Sequence, residues 1–255
     1  MKSQESHQSA LVDFLFQLAD DELMVGHRNS EWLGVAPDIE EDVAFSSIAQ
    51  DEIGHATFYY NLLEELHVAP SDALAFERDT RSRRNARLVE AENGDWAATI
   101  TRHYFYDLFE QVRLSAILHS SYEPLALGAS KIIREERYHR LHMETWFKRL
   151  AYGGEESRGK LLTAVDAIWG SLDDLFSLGE YAVTLVEAGI ISKNAEQLRD
   201  EWISLLKPTF DEIGFCLPHI PMMSDGGRVG EHTLPLTNLL DTMSEVYRLQ
   251  PGAKW

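Results

Sequence analysis

Apolar residues recur at intervals of three and four through most of the chain, and Pro and Gly fall between the periodic runs, in LGVAPD, LHVAPSD, ENGDW and AYGGEE. That period is the helical one, because residues at i, i+3, i+4 and i+7 share one face of an α-helix. The pattern predicts helices over about 8–30, 38–67, 95–121, 124–151, 158–189, 195–213 and 233–249. Residues 214–232, FCLPHIPMMSDGGRVGEHT, carry no period and read as irregular chain. The joints at 31–37 and 122–123 are short, which favours antiparallel neighbours within each helix pair, and helices of about 25 to 30 residues would be roughly 40 Å long. The expected fold is all-α: one domain over 1–255, with an antiparallel four-helix bundle core at about 8–151 and additional C-terminal helices at about 158–249.

Each of the first four helices carries an acid on its apolar stripe. In 124–151, positions 125, 129, 132, 136, 139, 143, 146 and 150 read Leu, Ala, Ile, Glu, His, Met, Trp, Leu, so Glu136 and His139 should face inward. In 38–67, positions 48, 52, 55, 59, 62 and 66 read Ile, Glu, His, Tyr, Leu, Leu, which turns Glu52 and His55 the same way. The first helix runs Leu11, Leu15, Leu18, Glu22, Val25, and the third runs Ile100, Tyr104, Asp107, Gln111, Leu114, Leu118.

The spacing makes this a repeat. Glu22 and Glu52 are 30 residues apart, Asp107 and Glu136 are 29 apart, and the two pairs are offset by 85 and 84 residues. The order is acid, then Glu-x-x-His, twice over. A core carboxylate is costly unless its charge is compensated, and two divalent cations would balance four of them. Carboxylate with imidazole suits iron, with manganese as the alternative, and this distribution over four helices is that of ferritin-like di-iron bundles. One Glu-x-x-His in a chain with ten His is weak evidence; two on matching stripes, each preceded by an inward acid, point to a ligand set. The same side chains also suit a hydrogen-bonded network without metal, so the pattern speaks for ligand architecture rather than occupancy. It assigns no catalytic side chain.

Charge and composition narrow the partners. Lys and Arg number 23 against 42 Asp and Glu, a formal charge of −19, which disfavours nucleic acid and anionic membrane surfaces. The single Cys216 excludes an intramolecular disulfide or a multi-cysteine metal site, and fits a reducing compartment. No run approaches a membrane span, and the opening MKSQESHQSALVDF lacks the order of a signal peptide, so a cytoplasmic protein is expected.

Longer segments carry a resemblance. DELMVGHRNSEWLGVAPDIEEDVAFSSIAQDEIGHA, LAFERD, GDWAATITRHYFYD, KIIREERYHRLHMETWFKRL, GGRVGEHTLPLTNLL and LQPGAKW resemble the C subunits of the phenylacetyl-CoA 1,2-epoxidase family. The resemblance implies a multicomponent monooxygenase. In it an A subunit of related ferritin-like fold carries the di-iron centre and acts on phenylacetyl-CoA, other subunits deliver electrons, and the C subunit pairs with A and holds it in shape. Contacts with a second copy are also expected. Many C subunits look as if they have lost ligands, whereas all six positions are filled here, and QDEIGHA and REERYH resemble the A subunit as closely. The resemblance implies Glu22 and Asp107 as terminal carboxylates, Glu52 and Glu136 as bridging ones, and His55 and His139 as one imidazole for each iron.

Several features stand outside this set. Asp51 and Glu135 precede the two stripe histidines by four residues, where they could contact the imidazoles or simply be exposed acids. Arg78, Arg81, Arg83, Arg84 and Arg87 suit either phosphates and an acidic partner, or local ion pairs to Glu77, Asp79, Glu90 and Glu92. Trp32, Trp96, Trp146, Trp169, Trp202 and Trp255 read as core or subunit-interface packing, and Cys216 as a packed thiol in a loop.

Overall fold

The computed structural model describes residues 2–219 and 221–250, so Trp255 and the last residues of the LQPGAKW segment lie outside the described chain. Among the described residues there are nine α-helices and no strand. These are α1 (Lys2–Ser30), α2 (Ile39–Glu65), α3 (Ser71–Phe76), α4 (Trp96–Ile117), α5 (Glu123–Tyr152), α6 (Glu155–Trp169), α7 (Ala182–Glu187), α8 (Ala195–Ile213) and α9 (Leu234–Leu249). The protein is all-α, of the ferritin-like helical-bundle class, and no helix of the described residues is long and apolar enough to cross a membrane.

The starts of α2, α4 and α8 follow from side-chain capping. Asp38 accepts from the Glu41 amide ahead of α2 at 2.9 Å, and Asp95 does the same for Ala98 ahead of α4 at 2.9 Å. Asn194 and Gln197 form a reciprocal capping box at the start of α8.

The chain divides into two compact units. One comprises the residues up to Leu11 together with Asn93–Asp225, and the other Val12–Glu92 together with the residues from Gly226 onward. In the first unit α4 is buried almost all round, as expected of a helix enclosed by others. Its Phe105 lies within an aromatic cluster with Phe147, Trp169, Trp202 and Phe210, and Trp202 Nε1 donates to the Phe105 carbonyl at 2.9 Å. The second unit holds most of α1 with α2, α3, α9 and the loop 77–92; α3 packs on α2, and α9 packs on α3 and on the loop.

Three expectations are corrected. The predicted helix 158–189 breaks after Trp169 into two single 3-10 turns and the short α7. The reason is tertiary: Asp173 holds Ser224 through its carbonyl and its carboxylate, and Ser177 donates to Asp225 at 2.5 Å, so this segment serves residues 224–225 rather than a helical ladder. The stripe of α5 drifts, because after Met143 the buried positions are Phe147 and Ala151 rather than Trp146 and Leu150. A straight helix of 3.6 residues per turn departs from a strict seven-residue repeat in this way. Cys216 is exposed, whereas its neighbour Phe215 takes the buried place.

Candidate functional site

In the second unit the apolar stripes of α1 and α2 bring three chemistry-bearing side chains together. Glu22 and Glu52 are fully buried and His55 nearly so. His55 Nδ1 is 3.6 Å from Glu22 Oε2 and 3.4 Å from Glu52 Oε2. One ligand atom from each of the three lies within 4.8 Å of the others, close to what donors about 2.1 Å from a shared ion would span. Gly26 makes this approach possible. A Cβ there would stand 2.9 Å from the Ile53 side chain and 3.2 Å from the Glu52 Cβ, so α1 and α2 meet where α1 has no side chain.

Behind Glu22 lies a feature that the helical period does not reveal: Asp20 and Asp21, the two preceding residues, are also fully buried. Asp20 takes a two-pronged pair from Arg78 at 2.8 and 3.0 Å, Arg83 at 3.1 Å and the Tyr60 hydroxyl at 2.6 Å. Burial would push the Asp20 carboxyl up, but the charges of Arg78 and Arg83 and the bonds from Arg78 and Tyr60 outweigh it and hold it at about 2. Burial, with the Asp20 charge, pushes the Tyr60 phenol well above its ordinary range. Asp21 accepts from the Ala86 amide at 2.8 Å and from Arg228 at 2.9 Å.

Arg228 belongs to the GGRVGEHT segment, which acts as a strap over the arginine loop. It also donates to the Arg84 carbonyl at 2.9 Å, while His232 Nδ1 sits 2.6 Å from Glu90 Oε1 and Thr233 binds Glu90 Oε2. Gly230, at φ +86°, passes so close to the Arg81 carbonyl that a Cβ would stand 2.4 Å from it. The arginine loop is thus an ion-pairing element, and three of its five arginines reach beyond the expected local acids: Arg78 and Arg83 pair with Asp20, and Arg84 with Asp13 at 3.1 Å, all on α1. The expected local contact is kept at Asp79, whose carboxyl is held below its usual range by hydrogen bonds from Ser82 and then by the charges of Arg81 and Arg78.

In the first unit the corresponding set is arranged differently. Asp107 on α4 and Glu136 and His139 on α5 are all buried, and His139 Nδ1 lies 3.2 Å from Glu136 Oε1. Among the described residues these three form no trio like that of Glu22, Glu52 and His55. Asp107 Oδ1 is instead 2.6 Å from Nδ1 of the buried His103, one turn earlier on α4. His103 is not on the predicted stripe because it lies beside the Ile100–Tyr104–Asp107 line; its His-x-x-x-Asp spacing is the signal that could have found it. Its counterpart 85 residues earlier is Leu18, so the internal repeat is not symmetric here. Asp51 is exposed and Glu135 half-buried.

The donors in both sets are carboxylate oxygens and imidazole nitrogens, with no thiolate, and this chemistry fits a divalent first-row metal such as iron or manganese. An all-α chain with buried carboxylate–imidazole sets of this composition belongs with the ferritin-like carboxylate proteins. More narrowly, the chain belongs to the phenylacetic acid catabolic protein family, whose model matches residues 1–255. It is 32% identical over 246 residues to the C subunit of 1,2-phenylacetyl-CoA epoxidase from Escherichia coli K12, across 96% of this chain and 99% of that one. It is also 23% identical over 238 residues to the A subunit of the 1,2-phenylacetyl-CoA epoxidase of the same organism, across 89% of this chain and 76% of that one.

Proposed function

We propose that this chain is the partner-stabilising C-type subunit of a multicomponent epoxidase acting on phenylacetyl-CoA in aerobic phenylacetate catabolism, and that it retains a complete di-iron ligand set. The observation that carries the first part is the similarity to an epoxidase C subunit over nearly the full length of both chains. Its partner is then a catalytic A subunit, with a second copy of this chain as a further contact, and phenylacetyl-CoA is bound at the level of the complex. The acidic charge and the lone cysteine support a cytoplasmic place. Co-expression with an A subunit should give a complex that survives mild salt, and failure to associate would overturn the assignment.

The second part rests on the sequence repeat and on the donor chemistry. Glu22, Glu52, His55, Asp107, Glu136 and His139 together would hold two iron ions, with manganese as the alternative. Four carboxylates and two divalent cations are electrically neutral, which removes the cost of burying the acids. A bound di-iron pair would supply the activation of O2. The protein's own residues contribute the rest: Gly26 lets α1 and α2 close on each other, and the Asp20–Asp21 lattice anchors the turn that carries Glu22.

One observation favours a second reading, a di-iron oxidase or monooxygenase in its own right acting on another acyl-CoA or aromatic substrate. All six ligand positions are filled. Iron analysis after anaerobic loading separates the readings, since well below one iron per chain would exclude an independent enzyme.

A further inference from the structure

The first unit contains a cleft of about 230 Å³ between α4 and α5, lined by Gln111 and Ser115 on α4 and by Ile133, Glu136, Arg137 and Arg140 on α5. The α5 residues fall at i, i+3, i+4 and i+7, so they form one wall flanking the stripe that carries Glu136. Two arginines, Arg137 and Arg140, line it. Arg140 is paired with Glu144 at 2.9 Å, whereas Arg137 is exposed and makes no ion pair among the described residues. On the α4 wall, Gln111 Oε1 is buried and accepts no hydrogen bond. A buried acceptor of this kind is costly unless a donor reaches it.

We propose that this cleft binds a small organic carboxylate of about one aromatic ring in size, its charged end on Arg137 and Arg140 and its body against Ile133. The volume suits such a molecule, since an apolar cavity of about 150 Å³ already admits benzene. Paired guanidinium forks are the side chains best matched to a carboxylate, and their two charges outnumber that of Glu136 on the same lining. A hydroxyl on the ligand would satisfy Gln111 Oε1. The cleft shares Glu136 with the proposed metal set, but its recognition elements need no metal.

The test uses the full metal-free chain and calorimetric titration with benzoate, its neutral analogue benzamide, and 3-hydroxybenzoate. Benzoate should bind, and benzamide should bind about tenfold more weakly or not at all. Arg137→Ala, a surface change, should weaken benzoate about tenfold. Ile133→Phe, which narrows the cleft, should weaken all three ligands. The hydroxyl of 3-hydroxybenzoate should strengthen binding over benzoate in the parent protein and lose that advantage in Gln111→Leu. No binding at millimolar benzoate, equal affinity for benzoate and benzamide, or indifference to Arg137→Ala would overturn the proposal. Iron content measured on the same preparations reads the di-iron assignment independently, so either can fail alone.

Discussion

The two ligand sets arise from nearly the same sequence pattern and differ in what surrounds them. Glu22, Glu52 and His55 converge within one unit, and the turn that carries Glu22 is fastened by Asp20 and Asp21 to arginines from the loop and the strap. Asp107, Glu136 and His139 do not converge in this way; Asp107 is held by His103, and Glu136 borders an open cleft. A repeated ligand motif therefore fixes which side chains face inward, while the neighbouring charges decide whether they are already gathered. The first set is held by ion pairs outside it, the second by an imidazole within hydrogen-bond reach.

The largest test of this contrast removes an anchoring charge. Arg228→Ala leaves Asp21 buried with one compensating group fewer and should cost about 3 to 5 kcal/mol, read as a lower denaturation midpoint at unchanged slope. Arg137→Ala, beside the second set, should stay within about 0.5 kcal/mol. Equal costs would break the comparison. Next is the imidazole. His103→Leu installs the residue type found at the matching position of α1, and if His103 orients Asp107, affinity for the second iron should fall about tenfold in an anaerobic titration while the first is unchanged. Unchanged affinity for both would reduce His103 to packing.

What the sequence made legible follows from the kind of signal each feature emits. Helical period alone turned Glu22, Glu52, His55, Asp107, Glu136 and His139 inward, and all six are buried. The same logic missed Asp20 and Asp21, because a stripe admits about one residue in three or four and two acids beside it read as a solvated face. Their burial depends on Arg78 and Arg228, which are 58 and 207 residues away from their partners, a distance at which local patterning is silent. The break at 170–181 was hidden for a similar reason: what replaces the helix there is a set of hydrogen bonds to residues 224–225.

Acid titration asks whether the anchored unit is also the acid-sensitive one. His27, in the last turn of α1, is held down at about 4 by burial and then by the neighbouring Arg28. Its ordinary value is 6.5, so between about 6.5 and 4 the unfolded chain binds more protons than the folded one, and stability falls as the pH drops. The loss cannot exceed about 1.4 kcal/mol per pH unit for one proton. His27→Gln should flatten the stability-against-pH curve in that window and leave it unchanged above pH 7. Parallel curves for the two proteins would contradict the burial of the ring.

The smallest expected effect is the most direct comparison of the two sets. In metal-free protein, Glu52→Ala removes one of the carboxylates gathered around His55, where like charges raise the cost of burial. Stability should change by less than about 1 kcal/mol and can rise, although a buried side chain has been truncated. Glu136→Ala should likewise change the stability of the metal-free protein by less than about 1 kcal/mol. Both variants are read by urea denaturation with and without iron. A large apo-state loss in both would mean that the acids are satisfied by the protein itself. A loss of stability that emerges only with iron present would instead tie both glutamates to the metal.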